Sequence, residues 1–370
     1  GSGSGGIVGH GLQDNRYGGV GRGRGKASTW RNHGLRRGYF SPRPPDPLPA
    51  SIRRLVLHRR AFTASVFWTL GLLYLGSVVH ATESSLACPD WPTCFGTMFP
   101  EMTGGVFWEH LHRLVAGALI LLFGVATFLA FRETRPGHWM RTATVSGIGL
   151  LLVQAVFGGL TVIYRLPDAI STSHLSMALV FLTLATVLTT ATSPRRSARP
   201  PLDRNTARTL RRGATAGAVV VFLQSVVGGV VRHTDAGMAC PDIPTCIGEW
   251  VPPLSNGLVA THFLHRVLGV VATLVVLGLV WRLFSSAAPR YVQRMALVSG
   301  ALVLAQMTLG IVSVLSILAV VPVSLHTLGA ASLLASLVTL ATWGWLAGRG
   351  GTREGLRAGS DTVGTSLQGV

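Results

Sequence analysis

Apolar residues gather into eight long blocks, at about 61–81, 107–131, 142–164, 172–192, 213–233, 258–284, 292–316 and 322–346. Polar or arginine-rich stretches separate them. A helix needs about 20 apolar residues to cross a hydrocarbon core of roughly 30 Å, and each block is long enough. Pro167, Pro252, Pro253, Pro289 and Pro322 fall at or between block ends, where a missing N–H does least harm. The pattern predicts an all-α integral membrane protein with eight transmembrane helices. Gly348, Gly350 and Gly351 are expected to end the last helix, leaving a loose polar tail to Val370.

The blocks repeat. LACPDWPTCFG at 86–96 returns as MACPDIPTCIG at 238–248, a displacement of 152 residues. The same displacement carries Gln154 to Gln306, Gly158 to Gly310 and His174 to His326, while His112-Arg113 returns one residue later as His265-Arg266. Four helices per repeat give both halves the same orientation, so two tandem pseudo-symmetric four-helix bundles are expected, related by an axis along the membrane normal. The expected domains are a first half over 56–193, a basic linker over 194–212, a second half over 213–346 and a tail over 347–370.

Composition agrees: 48% of residues are hydrophobic, only 12% are charged, and mean hydropathy is +0.46. Soluble domains carry about twice that share of charge. The net charge of +18 could point to nucleic acid, but the arginines sit between the blocks. They flank the first span at Arg53, Arg54, Arg59 and Arg60, follow the second and sixth, fill the central linker, and follow the eighth. The loops Glu83–Val106 and Thr234–Gly257 contain neither Lys nor Arg. By the positive-inside rule both termini are expected in the cytoplasm of a multi-pass cell-membrane protein, with the cysteine loops outside and lipid, not nucleic acid, as partner. Residues 1–55, rich in Gly, Arg and Pro and lacking apolar periodicity, read as a disordered extension rather than a signal peptide.

Histidine is costly inside a bilayer and tends to face a bundle interior. His112 in the second span and His174 in the fourth lie at similar depth, and His265 and His326 repeat the arrangement in the sixth and eighth. Two imidazoles on facing helices suit a heme iron held from both sides. The plainer alternative is helix packing by hydrogen-bonded histidines, and zinc would want more convergent ligands. Glu109, one turn before His112, shares its face; the second half has His262 there. Either Glu109 is the acid–base group of a reacting half or it sits solvated among headgroups. His110 points elsewhere and reads as a surface residue. His80 and His233 end the first and fifth spans, where Arg232 could meet a heme propionate, and His58 and His138 read as inert.

Cys88 and Cys94, and Cys240 and Cys246, form two C-x5-C pairs on the side that permits disulfides. A structural staple and a redox-active pair are both open readings. Gln-x-x-x-Gly occurs at Gln154/Gly158, Gln224/Gly228 and Gln306/Gly310. The glycines fit close helix packing; no role follows for the glutamines.

The doubled CPDWPTC/CPDIPTC loops, E-x-x-H-R at Glu109–Arg113, H-R at His265–Arg266 and GGVVRHTDAGMAC at 228–240 resemble heme A synthase over about residues 60–346. The resemblance implies oxidation of the C8 methyl of heme O to a formyl group, giving heme A for terminal oxidases. It implies Glu109 as the catalytic carboxylate, with His112, His174 and Arg113 at the substrate heme O. It implies His265, His326, Arg266 and Arg232 at a heme b cofactor, with the four histidines as iron ligands. Heme O synthase and terminal-oxidase assembly factors are the implied partners; homo-oligomerisation stays open, and nothing names an electron acceptor. The stretch GSVVHATESSLAC departs from the family, with His80 and Glu83-Ser84-Ser85 where the second half keeps Arg232 and Asp235-Ala236-Gly237. Two rival readings are a di-heme cytochrome b-type carrier, which leaves Glu109 idle, and a membrane thiol–disulfide oxidoreductase, which leaves the histidines idle.

Overall fold

The computed structural model of the chain describes residues 50–134, 136–193 and 200–365, with side chains between 57 and 347 in those ranges. The expected extension lies outside them up to residue 49; from Ala50 the chain is already helical. In order come α1 (Ala50–Ala81), α2 (Gly104–Thr134), α3 (His138–Ile163), α4 (Asp168–Ala191), the short α5 (Arg204–Thr209), a π turn (Leu210–Ala214), α6 (Thr215–His233), α7 (Gly257–Phe284), α8 (Arg290–Leu315) and α9 (Val320–Thr365). Eight spans are long and apolar enough to cross a membrane, the fifth being Arg204–His233. Among the described residues, β-structure is limited to the bridges Cys94–Thr97 and Cys246–Glu249.

Local chemistry sets the ends of these helices. Pro167 and Pro289 stand at the N-caps of α4 and α8, and Asn256 caps α7 with its side-chain oxygen. Within the spans, hydroxyls donate to the carbonyl four residues back, as Ser65 does to Ala61 (2.9 Å) and Thr186 to Leu182 (2.7 Å). That satisfies them without water, which a bilayer cannot supply.

Helices α1–α4 pack as a ring, α1 on α2, α2 on α3, α3 on α4 and α4 on α1; α6–α9 repeat the cycle. Between the groups, α1 packs on α9, α4 on α6, and α4 on α9. Exchanging the two groups maps these contacts onto themselves. Phe62, Phe123 and Phe181 fill one end of the first group, with ring centroids 5.7 and 5.0 Å apart. Leu210, Leu283, Leu337 and Leu340 are fully buried in the second. Large apolar residues such as Phe67, Leu121, Leu274 and Trp281 stay exposed, as surfaces that meet lipid tails should.

Backbone strain repeats as well. Glu83, Phe95, Arg165 and Leu166 adopt positive φ, and so do Asp235, Ile247, Ile317 and Leu318, each 152 residues on. Left-handed turns are costly for side chains of this size. Matched positions close matching turns in both halves.

Two boundaries differ from the apolar pattern. The fifth span begins inside the basic linker, because Asp203 accepts the N–H groups of Asn205 and Thr206 (both 2.9 Å) and starts α5. Gly344 of α9 lets that segment pack close: a Cβ there would lie 2.5 Å from the Arg211 nitrogen. At the other end, α9 runs to Thr365, past the glycines expected to end it. Glycine lowers helix propensity by about 1 kcal/mol, but without a proline or a capping turn it does not stop a helix.

Candidate functional site

Each of the four intramembrane histidines sits on a glycine of a neighbouring helix. A Cβ at Gly76 (α1) would lie 3.0 Å from Cε1 of His112, and one at Gly158 (α3) 3.2 Å from Cε1 of His174. In the second half the distances are 2.8 Å from Gly228 (α6) to His265 and 3.2 Å from Gly310 (α8) to His326. Three glutamines finish the seats, one turn before their glycines. The side-chain amide of Gln154 donates to the carbonyl of His174 (2.9 Å), Gln224 to that of His265 (2.9 Å) and Gln306 to that of His326 (2.8 Å). His112 has no such partner, since Leu72 stands one turn before Gly76. Gln-x-x-x-Gly is therefore a histidine seat: the glycine admits the ring and the glutamine fixes the backbone bearing it.

All four rings are half-buried. Each Nδ1 is fully buried without a hydrogen-bond partner, whereas Nε2 is not enclosed in that way. The glycine-seated rings leave Nε2 as the nitrogen that is not fully enclosed, the position from which each could bind a metal. The His265 and His326 ring centroids lie 6.4 Å apart at 76°. Two metal–imidazole bonds of about 2 Å, plus roughly 1.1 Å from each nitrogen to its ring centre, give about 6.2 Å. That separation is compatible with one metal ion between the two imidazoles. No equivalent ring contact joins His112 and His174 among the described residues.

Glu109 is buried, not solvated among headgroups. One carboxylate oxygen accepts the N–H of Cys88 (2.8 Å), and the other pairs with Arg113. Arg113 also donates to the carbonyls of Asp90 and Thr93 (both 2.7 Å). In the second half, Nδ1 of His262 accepts the N–H of Cys240 (3.3 Å). Arg266 donates to the carbonyls of Asp242 (2.7 Å), Thr245 (2.8 Å) and Cys240. Glu109 and His262 thus do one backbone job with different chemistry. Both arginines expected at heme have guanidinium groups that donate to carbonyls of the cysteine loops.

Those loops carry the disulfides Cys88–Cys94 and Cys240–Cys246, and each contains a cis X–Pro bond, Trp91–Pro92 and Ile243–Pro244. Asp90 ties its loop together, accepting from the Thr93 hydroxyl and from the N–H groups of Gly96 (2.9 Å) and Phe95 (2.6 Å). The Thr93 hydrogen bond first, and these amides after it, hold its carboxyl below the usual range. Trp91 presses onto α3, where a Cβ at Gly159 would lie 2.8 Å from its ring. Gly159 is next to the seat of His174, so the loop covers that part of the first half.

Arg232 bridges the halves. It donates to Ser77 of α1 (2.8 Å to the hydroxyl, 2.7 Å to the carbonyl) and to the Thr327 hydroxyl of α9 (3.4 Å). Ser77 follows the glycine under His112, and Thr327 follows His326. Among the described residues Arg232 has no carboxylate partner. Nearby, the His80 and His233 rings lie 5.4 Å apart, tilted by 55°, beside a cavity of about 290 Å³ also lined by Glu83, Asp168 and Asp235.

Two minor histidines differ from expectation. His110 is buried, not superficial, with Nε2 3.0 Å from the carbonyl of Met98; the loop folds down onto a helix face that looks outward in the bare α2. His58 is buried and pairs with Glu133 (2.7 Å). His138 is exposed at the start of α3.

Fold and site together define an eight-span helical membrane protein in which each four-helix group presents a pair of glycine-seated imidazoles beneath a disulfide-closed loop. Residues 59–338 match the family described as cytochrome oxidase assembly protein, and the chain belongs to that family. A heme A synthase of Symbiobacterium thermophilum is 32% identical over 212 residues, covering 56% of this chain and 69% of that protein. A heme A synthase of Halalkalibacterium halodurans is 28% identical over 237 residues, covering 61% and 78%. One of Shewanella oneidensis is 26% identical over 321 residues, covering 76% and 94%.

Proposed function

We infer that this chain catalyses the heme A synthase reaction, oxidising the C8 methyl of heme O to a formyl group. The observation that carries the reading is the repeated pair of histidines whose Nδ1 atoms are buried and whose Nε2 atoms are open, in a chain of this family. The rival readings fit less well: an electron carrier leaves the difference between Glu109 and His262 without purpose, and a thiol–disulfide enzyme leaves four histidine seats without purpose.

His265 and His326 would hold a heme b, which supplies one-electron redox capacity when bound. His112 and His174 would receive the substrate heme O. The first half lacks the ring contact and one glutamine, as suits a site that must admit substrate and release product. Converting a methyl to a formyl group adds one oxygen atom and removes four electrons and four protons when water is the oxygen donor, the electrons leaving one at a time to an oxidant outside this chain. Glu109 sits one turn from His112 and is a carboxylate that would take these protons one at a time, passing each on before the next. Arg113 holds Glu109 and the Cys88–Cys94 loop in register, and Arg266 holds the second loop, so both act as positioning residues. Arg232, a cation without a carboxylate partner between the two sites, suits a propionate.

The arginine distribution supports both termini in the cytoplasm and the disulfide loops on the outer side of the cell membrane. Two half-domains, 56–193 and 213–346, related by a pseudo-twofold, agree with the doubled seats and the exchange-symmetric helix contacts. Heme O would come from a heme O synthase, and heme A would pass to terminal-oxidase assembly. The test is Glu109→Gln in cells making heme O, with chromatography of the extracted hemes. Heme b should be retained and heme A absent; normal heme A in that variant would remove Glu109 from the chemistry.

A further inference from the structure

The two disulfide loops are alike in backbone and differ in what lies under the sulfurs. In the second half Cys240 and Cys246 cluster with Val259 and Phe263, while His262 and Arg266 meet Cys240 at its backbone. In the first half the residue matching Phe263 is His110, and it is 2% exposed. One ligand atom each from Cys88, Cys94 and His110 can be chosen so that all lie within 4.8 Å of one another, and all three residues are buried. The His110 Nδ1 has no hydrogen-bond partner. His110 Nε2 meets the Met98 carbonyl, which leaves Nδ1 as a buried, unpaired nitrogen, a cost that the Phe of the other half does not carry.

We propose that the reduced Cys88/Cys94 loop is a metal site for a soft, monovalent d10 ion of the copper(I) class, with Cys88, Cys94 and His110 as ligands. Two thiolates and one imidazole form a soft, three-coordinate donor set that favours copper(I) over harder cations. A dithiol reductant opens the site: the Cys88–Cys94 S–S bond breaks, the reductant becomes a disulfide, and each cysteine gains one electron and one proton. Copper(I) then binds both sulfurs, releasing the two thiol protons, and the imidazole completes the set. The loop thereby has two closed forms, one bridged by sulfur and one by metal, under the same Glu109–Arg113 clamp. Among the described residues no imidazole nitrogen joins both sulfurs of the second loop in this way, and His262 is engaged by the Cys240 N–H. This assignment does not depend on the heme reading, because neither His112 nor His174 takes part.

The experiment is an anaerobic copper(I) titration of the full-length, detergent-solubilised protein against a chromophoric copper(I) chelator, before and after phosphine reduction. Wild type should retain one copper(I) per chain against the chelator when reduced and none when oxidised. His110→Phe, which installs the residue the second half already accommodates, should lower retention by about tenfold or more. Phe263→His should create a second retained equivalent. Absorption fine structure on the wild-type complex should show a nitrogen scatterer that His110→Phe loses. Equal retention by wild type and His110→Phe, or none by the reduced wild type, would overturn the assignment.

Discussion

Gly228 of α6 lies directly under the imidazole of His265: a Cβ at that glycine would stand 2.8 Å from Cε1, closer than side-chain carbons approach one another. The ring cannot keep its position if the glycine is replaced. Gly228→Ala should therefore cost about 1–3 kcal/mol of overpacking and displace the ligand. Heme b per chain, measured by pyridine hemochrome, should fall well below wild type. Gly278 of the adjacent α7 has nothing within 4 Å of such a Cβ, so Gly278→Ala should leave heme content unchanged. Equal heme in both variants would refute the seat.

Gln306 acts on His326 through the backbone rather than the ring. Gln306→Leu removes one hydrogen bond to a half-buried carbonyl, worth about 1 kcal/mol. For a protein of this size that should lower the melting midpoint by only about 1–2 °C. Heme b should remain bound with an altered midpoint potential, read by spectroelectrochemistry. An unchanged potential would leave Gln306 as a packing residue only.

Glu109→Ala and Glu109→Gln should part company. The alanine variant leaves Arg113 without its buried counter-charge and Cys88 without its acceptor, a loss of up to about 3 kcal/mol. The glutamine variant keeps a carbonyl for the Cys88 amide. Thiol alkylation of Cys88 and Cys94 at limiting reductant should then be faster in Glu109→Ala than in Glu109→Gln. His262→Ala should loosen the second loop less, because a single 3.3 Å hydrogen bond is at stake there. Identical alkylation rates in all variants would disprove the clamp.

Acid should loosen the first loop before it touches the spans. The Asp90 carboxyl is held below its ordinary value by the Thr93 hydroxyl and then by backbone amides. A depressed carboxyl contributes order above its unfolded value and loses it as pH falls through the folded one. Amide exchange at Phe95 and Gly96 should be pH-independent, after correction for intrinsic rates, down to the usual carboxylate range and accelerate below it. Asp90→Asn should exchange fast throughout; a wild-type loop that stays protected in strong acid would contradict this.

Several features were legible from sequence because their physical causes are local. Span length and apolarity specify eight membrane helices whatever the packing, and the 152-residue displacement identifies the paired histidines and cysteines before any contact is known. Tertiary structure decided what each conspicuous residue touches. Arg113 and Arg266 read as heme contacts beside the histidines, yet their guanidinium groups reach the loop carbonyls that folding brings over α2 and α7. His110 reads as superficial because helical periodicity turns it away from His112, but the returning loop buries it against the Cys88–Cys94 disulfide. Gln154, Gln224 and Gln306 carried a visible spacing and no visible purpose, since their partners are carbonyls on other helices. Periodicity within one helix reports which face a residue occupies; the chemistry of a membrane site depends on what another segment places opposite that face.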